Sequence, residues 1–165
     1  RDLHSFPTRR SSDLYSSCSC SIGAVLDGAP EPLAAALEAF GADLGIAFQL
    51  VDDLLGLWGD PAATGKPALS DVRARKMSLP VVAALNADAP EAARLAELYA
   101  KPERTEEDLA AVPPLVEAAG GRAWAELEAE RRIQRAAEHL VTARLPDAVR
   151  AEFLHIADFI TRRDH

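Results

Sequence analysis

Three features of the 165-residue sequence predict an all-α fold. Alanine, leucine, glutamate and arginine dominate while aromatic residues make up only 5%, a balance that favours helices over pleated strands. Apolar residues recur at helical spacing through most of the chain, and proline and glycine separate the periodic stretches. No segment alternates apolar and polar residues as a half-buried strand would, and no internal repeat is visible.

The first fourteen residues, Arg1 to Leu14, stand apart from this pattern. They lack an apolar period and back-translate, in one reading frame, into a common sequencing-adapter oligonucleotide. They therefore read as a non-native segment to be left out of fold reasoning. The native protein is then expected to run from Tyr15 to His165 as part of a longer chain. From Ser16 an apolar, small-residue helix runs to Gly28, with Pro30 beyond it. Pro32 opens a long helix to Trp58, roughly 40 Å at 1.5 Å per residue. The stretch from Gly59 to Ser70, with its prolines and glycines, cannot continue it. Helical periodicity returns from Asp71 to Ala87, and Pro80 marks a kink or a fresh start. Four more helices are predicted: Pro90 to Ala100, Thr105 to Ala119, Arg122 to Ala143 and Pro146 to Arg163. Thr105 and Asp108 have the spacing of a capping box, and Gly120-Gly121 breaks the chain between two helices.

Composition narrows the function. A formal charge of −8, with no basic stripe, argues against a nucleic-acid partner. No uninterrupted apolar run approaches the roughly 20 residues that span a bilayer, and no charged start precedes an apolar signal core. A cytoplasmic location is the expectation. Cys18 and Cys20 have no further Cys or His at ligand spacing and read as structural.

The segment from Gly41 to Trp58 carries the chemistry. At about 100° per residue, positions 41, 45, 48, 49, 52, 53 and 56 fall on one stripe, which reads Gly, Gly, Phe, Gln, Asp, Asp, Gly. Leu44, Ala47, Leu50, Val51, Leu54, Leu57 and Trp58 lie on the other faces and should be buried. Glycine inside a helix costs about 1 kcal/mol relative to alanine, so three on one face point to close approach by another helix or by a ligand. Two adjacent carboxylates on a largely buried helix repel each other and lose hydration unless a cation compensates. Magnesium suits them, because it takes one or two carboxylates and completes its octahedron with water and phosphate oxygens. Spacing alone is explained equally well by an ordinary solvated acidic patch.

The segment downstream changes that balance. The chain has three lysines, Lys66, Lys76 and Lys101, against fifteen arginines. Two of the three follow the Asp pair closely, and lysine is a compact point charge suited to a phosphate oxygen. Arg73 and Arg75 add positive charge to the same segment. An acidic, metal-suited face beside a basic loop fits a magnesium diphosphate better than either charge alone would, with surface lysines in a polar loop as the plainer account.

The run Phe48-Gln49-Leu50-Val51-Asp52-Asp53-Leu54-Leu55-Gly56-Leu57-Trp58-Gly59-Asp60-Pro61, followed by Thr64-Gly65-Lys66-Pro67, Ser70-Asp71 and Arg75-Lys76-Met77-Ser78-Leu79-Pro80-Val81, closely resembles the polyprenyl synthetase family around its second aspartate-rich motif. Weaker similarity extends to Ser21-Ile22-Gly23-Ala24, to Gly120-Gly121 and to Ile156 through Arg163. The resemblance implies an isoprenoid synthase helical bundle, of which residues 15–165 are the C-terminal portion, usually as a homodimer. It implies magnesium-assisted ionisation of an allylic diphosphate, alkylation of isopentenyl diphosphate and loss of a proton. By motif position Asp52 and Asp53 would serve the metal, with Asp60 one turn further along. Gln49 would join them as a catalytic group and line the allylic pocket with Phe48, while Lys66 and Lys76 would hold the diphosphate. Gly56 departs from the family, whose motif usually carries a third aspartate there. The first aspartate-rich motif and the isopentenyl diphosphate site are expected upstream of Tyr15, so the 165-residue chain alone should be inactive.

Two alternatives share the fold: a terpene cyclase that does not use isopentenyl diphosphate, and a catalytically degenerate paralogue acting as a partner or cargo protein. The Lys66 and Lys76 segment favours the synthase, and Gly56 is the support for the paralogue. His139 and His155 read as surface or packing residues and Trp124 as packing. The run Glu126 to Arg135 reads as a solvated face with i,i+4 ion pairs.

Overall fold

The computed structural model describes residues 11–65 and 69–161. Among them lie nine helical segments and no strand: α1 (Ser11–Leu26), α2 (Glu31–Trp58), α3 (Pro61–Thr64), α4 (Ser70–Arg73), α5 (Leu79–Leu85), α6 (Pro90–Ala100), α7 (Glu106–Ala118), α8 (Gly121–Thr142) and α9 (Asp147–Thr161). The all-α expectation holds, and most predicted boundaries fall within two residues of the observed ones. Two differ. Helix α1 starts at Ser11, so residues 11–14 continue it in the N-terminal direction. The predicted helix from Asp71 to Ala87 is two, because the chain turns at residues 74–78 and restarts at Leu79 with Pro80 in the first turn, where its missing N–H costs nothing.

Local chemistry explains the ends. Gly28 takes a left-handed φ of 68°, and Ala29 N–H returns to the Ala24 carbonyl at 2.9 Å, closing α1 in a Schellman turn. Thr105 and Asp108 cap each other reciprocally at the start of α7. Pro113 and Pro114 lie inside α7 without ending it; Val112 and Val116 around them are fully buried, and that packing outweighs the missing donors.

The chain forms two compact units, one from Leu50–Leu127 and the other from the residues on either side. In the Leu50–Leu127 unit, Leu57, Val72, Val81, Ala84, Leu95, Leu109, Val112 and Val116 make the core. In the other, Leu37, Phe40 and Leu44 pack with Ala136, Leu140 and Ala157, and Phe40 meets Phe153 edge to face at 5.3 Å. Cys20 packs against this second core while Cys18 is exposed.

Helix α2 is, by length and mean hydropathy, apolar enough to cross a membrane, but 56% of its most apolar window is buried against the protein's own helices. Leu44, Ala47, Leu50, Val51, Leu54 and Leu57 are buried as expected.

Candidate active site

Consecutive residues on a helix point about 100° apart, so Asp52 and Asp53 cannot look the same way. Along the second half of α2, Phe48, Gln49, Asp52 and Gly56 are half-buried positions, whereas Asp53 is buried completely. The shared stripe drawn from the sequence therefore divides: Asp52 lies on its open side and Asp53 faces the interior.

A charge buried that deeply needs partners, and Asp53 has them. It accepts the Leu79 backbone N–H at 2.8 Å and lies 2.9 Å from the Lys76 ammonium. Lys76 also donates to Asp71 at 2.8 Å and stands 4.0 Å from Asp52. Three carboxylates from α2 and α4 thus surround one ammonium. Burial works against the charged ammonium, but its hydrogen bonds to Asp71 and Asp53 prevail and hold Lys76 above the ordinary lysine range. Its side chain keeps 34% of its exposure and that of Asp52 24%, so the cluster opens to solvent through these two.

The turn after α4 aims Lys76. Arg75 takes a left-handed φ of 55°, its N–H reaches the Val72 carbonyl at 3.1 Å, and Lys76 N–H reaches the Asp71 carbonyl at 2.9 Å. That is a Schellman turn with arginine where glycine is usual. The reversal sends neighbouring side chains in different directions. Arg73 pairs with Glu106 through two contacts of 2.5 and 2.6 Å, and Arg75 donates to the Pro102 carbonyl. Arg73 thus reaches the start of α7 and Arg75 the connection before it, which corrects the expectation of a basic loop around the Asp pair: of Arg73, Arg75 and Lys76, only the lysine turns to it.

Asp60, considered as a further metal ligand, caps α3 and accepts the Ala62 N–H at 2.9 Å. Lys66 lies outside the described residues. A cavity of about 620 Å³ opens in the other unit, lined by Phe40, Ile133, Ala136, Leu154 and Ala157 among others, and Phe48 and Gln49 are not among its walls. Among the described residues no group of three His, Cys, Asp or Glu is arranged to cage a metal ion.

Sequence reasoning missed a second ionic cluster. Asp43, with 6% side-chain exposure, lies 2.9 Å from Arg132, 3.4 Å from Arg135 and 3.0 Å from His139 Nε2. The three partners sit at i, i+3 and i+7 on α8, the spacing of one helix face. Arg132 also bonds Glu128 at 2.7 Å. The run before Arg135 is therefore more than a solvated face, although its i,i+4 pairs Arg122–Glu126 and Glu128–Arg132 are present. An acid three residues past Phe40, inside an apolar helix, was the available signal.

The polyprenyl synthetase family model matches residues 8–116 of this chain. The chain belongs to the polyprenyl synthetase family. Among curated members, the geranylgeranyl diphosphate synthase of Mycobacterium tuberculosis is 46% identical over 149 residues, which is 89% of this chain and 41% of that protein. The crystal structure of a polyprenyl synthetase from Streptomyces coelicolor A3(2) aligns at a TM-score of 0.86 with 49% identity, covering 90% of this chain and 46% of that one. A geranylgeranyl pyrophosphate synthase of Corynebacterium glutamicum, solved with isoprenyl diphosphate and magnesium, aligns at 0.76 with 35% identity, covering 87% and 41%. This polyprenyl synthetase chain thus spans less than half the length of these relatives.

Proposed function

We propose that the chain is the C-terminal part of a trans-prenyl diphosphate synthase. The allylic C–O bond breaks with its electron pair leaving on diphosphate, the carbocation forms a C–C bond with isopentenyl diphosphate, and proton loss restores a double bond. The observation that carries this reading is the Lys76 ammonium set among Asp52, Asp53 and Asp71, half open to solvent. A site for a metal diphosphate needs carboxylates for the cation and a compact positive charge for the phosphate oxygens, close together.

The donor set fits magnesium, which takes one or two carboxylates and leaves its other positions to water and phosphate. Asp52 is the accessible candidate ligand, and Asp53 supports it from the interior. Magnesium, when bound, supplies positive charge that stabilises the departing diphosphate. Lys76 holds a diphosphate oxygen together with Lys66, while Phe48 and Gln49 line the allylic chain and keep water from the carbocation. We further propose that the segment from Arg1 to Leu14 is not native, that the protein works in the cytoplasm as a homodimer, and that this chain alone does not turn over.

Incorporation of labelled isopentenyl diphosphate tests the reading, comparing this chain with one extended upstream over the length of its relatives. The extended protein should elongate an allylic diphosphate, lose activity in EDTA, and lose about 10²–10³ in kcat on Asp52→Asn. Diphosphate release without isopentenyl diphosphate incorporation would replace the synthase with a cyclase. Turnover by the 165-residue chain would refute its dependence on the missing length.

A further inference from the structure

Gly56 lies one helical turn after Asp52 on α2, and a Cβ built there would stand 2.6 Å from Asp71 Oδ2 and 2.7 Å from its Cγ. The carboxylate of Asp71 therefore occupies the volume that any side chain at position 56 would claim. It bonds the Lys76 ammonium at 2.8 Å, and the Lys76 N–H closes back on the Asp71 carbonyl at 2.9 Å. Position 56 is thus tied to Lys76 through one intervening carboxylate. Glycine in this helix is intrinsically unfavourable relative to alanine, so something must offset it, and room for Asp71 does.

We propose that Gly56 and Asp71 form a positioning pair: the missing side chain at 56 admits the Asp71 carboxylate against α2, and that carboxylate fixes the Lys76 ammonium where it meets a bound diphosphate. Asp71 acts through Lys76, and Gly56 acts through Asp71. The pair explains why a helix with an acidic, half-open face carries a glycine at the position facing α4. It also gives Asp71 a role toward substrate that depends on its charge and not only on its bulk. The diphosphate part of this inference rests on the function proposed above; the steric part does not.

Two cycles of variants of this chain separate the parts. In the first, melting temperatures are compared for wild type, Gly56→Ala, Asp71→Ala and the double variant. Gly56→Ala should lower the melting temperature by several degrees with Asp71 present and raise it when residue 71 is alanine, because only the intrinsic helix preference then remains. The same sign in both backgrounds would overturn the pair. In the second, binding of inorganic pyrophosphate with magnesium is read by calorimetry. Asp71→Asn keeps the shape and removes the charge, and should weaken binding about tenfold. In a Lys76→Met background the same change should have no further effect. An equal loss in both backgrounds would show that Asp71 does not act through Lys76. If neither this chain nor the protein extended upstream binds magnesium pyrophosphate, the diphosphate reading of the site and the role of Asp71 toward substrate fall together. The melting cycle then still decides whether Gly56 makes room for Asp71.

Discussion

Lys76 and Asp43 sit at the centres of opposite arrangements. In the Leu50–Leu127 unit one ammonium is shared by Asp52, Asp53 and Asp71; in the other unit one carboxylate is shared by Arg132, Arg135 and His139. Both clusters join α2 to a later helix or turn, so the same long helix carries an acidic anchor in each unit. They differ in closure. The Asp43 side chain, the shared group of its cluster, is 6% exposed, and its partners lie on a single face of α8, where Arg132 is 22% and Arg135 56% exposed. Lys76 keeps 34% of its exposure, and its carboxylates come from two elements joined by a left-handed turn. Closed ionic clusters specify packing, whereas one that opens to solvent can exchange partners with a ligand.

That contrast orders the expected effects of substitution. Asp43→Ala should be the most damaging change, because it removes the buried carboxylate shared by three side chains of α8 and leaves the mostly buried Arg132 guanidinium, which cannot shed its charge, with Glu128. About 2–3 kcal/mol of stability should be lost, measured by urea unfolding. A loss below that of the Lys76 variant would break the comparison. Lys76→Met should cost about 1–2 kcal/mol, because the buried Asp53 loses its ammonium but keeps the Leu79 N–H. His139→Gln keeps a polar partner for Asp43 and should cost less than about 1 kcal/mol; a larger loss would make the histidine a main support of the closed cluster.

The smallest effect concerns exposed pairs and sets the baseline. Glu106 is held below the usual carboxylate range by its hydrogen bonds from Arg73, and Asp108 by its hydrogen bond from Lys101 and by the Thr105 backbone. A depressed folded-state pKa gives stability that is present above the unfolded value, about 4, and is lost as pH falls through the folded value. The protection factors of amides in the first turn of α7 should therefore fall as pH drops below about 4. Protection that stays level down to about pH 2 would show that these exposed pairs add nothing to the cap.

Much of this was legible in the sequence. Periodicity and proline placement located the helices, Thr105 and Asp108 announced their cap, and the candidate residues Asp52, Asp53 and Lys76 named from the sequence do come together. What was not legible depends on direction. Periodicity put both aspartates on one stripe, and only packing reveals that Asp53 turns inward to meet Leu79 N–H. Local spacing cannot reveal that Asp43 meets His139, a partner 96 residues away. Nor can charge counting separate Arg73 and Arg75 from Lys76, because a backbone reversal assigns them to different neighbours. Nor does spacing show that the Asp71 carboxylate occupies the volume beside Gly56.

The left-handed residue at position 75 has a consequence for how this segment can vary. Tolerance there is set by the backbone before the side chain: asparagine or glycine would keep the reversal at little cost, while valine or isoleucine would oppose it. The guanidinium contact with the Pro102 carbonyl adds to a position that the backbone has already restricted. A library randomised at this position should sort by left-handed propensity, with hydrophobicity and charge as lesser influences.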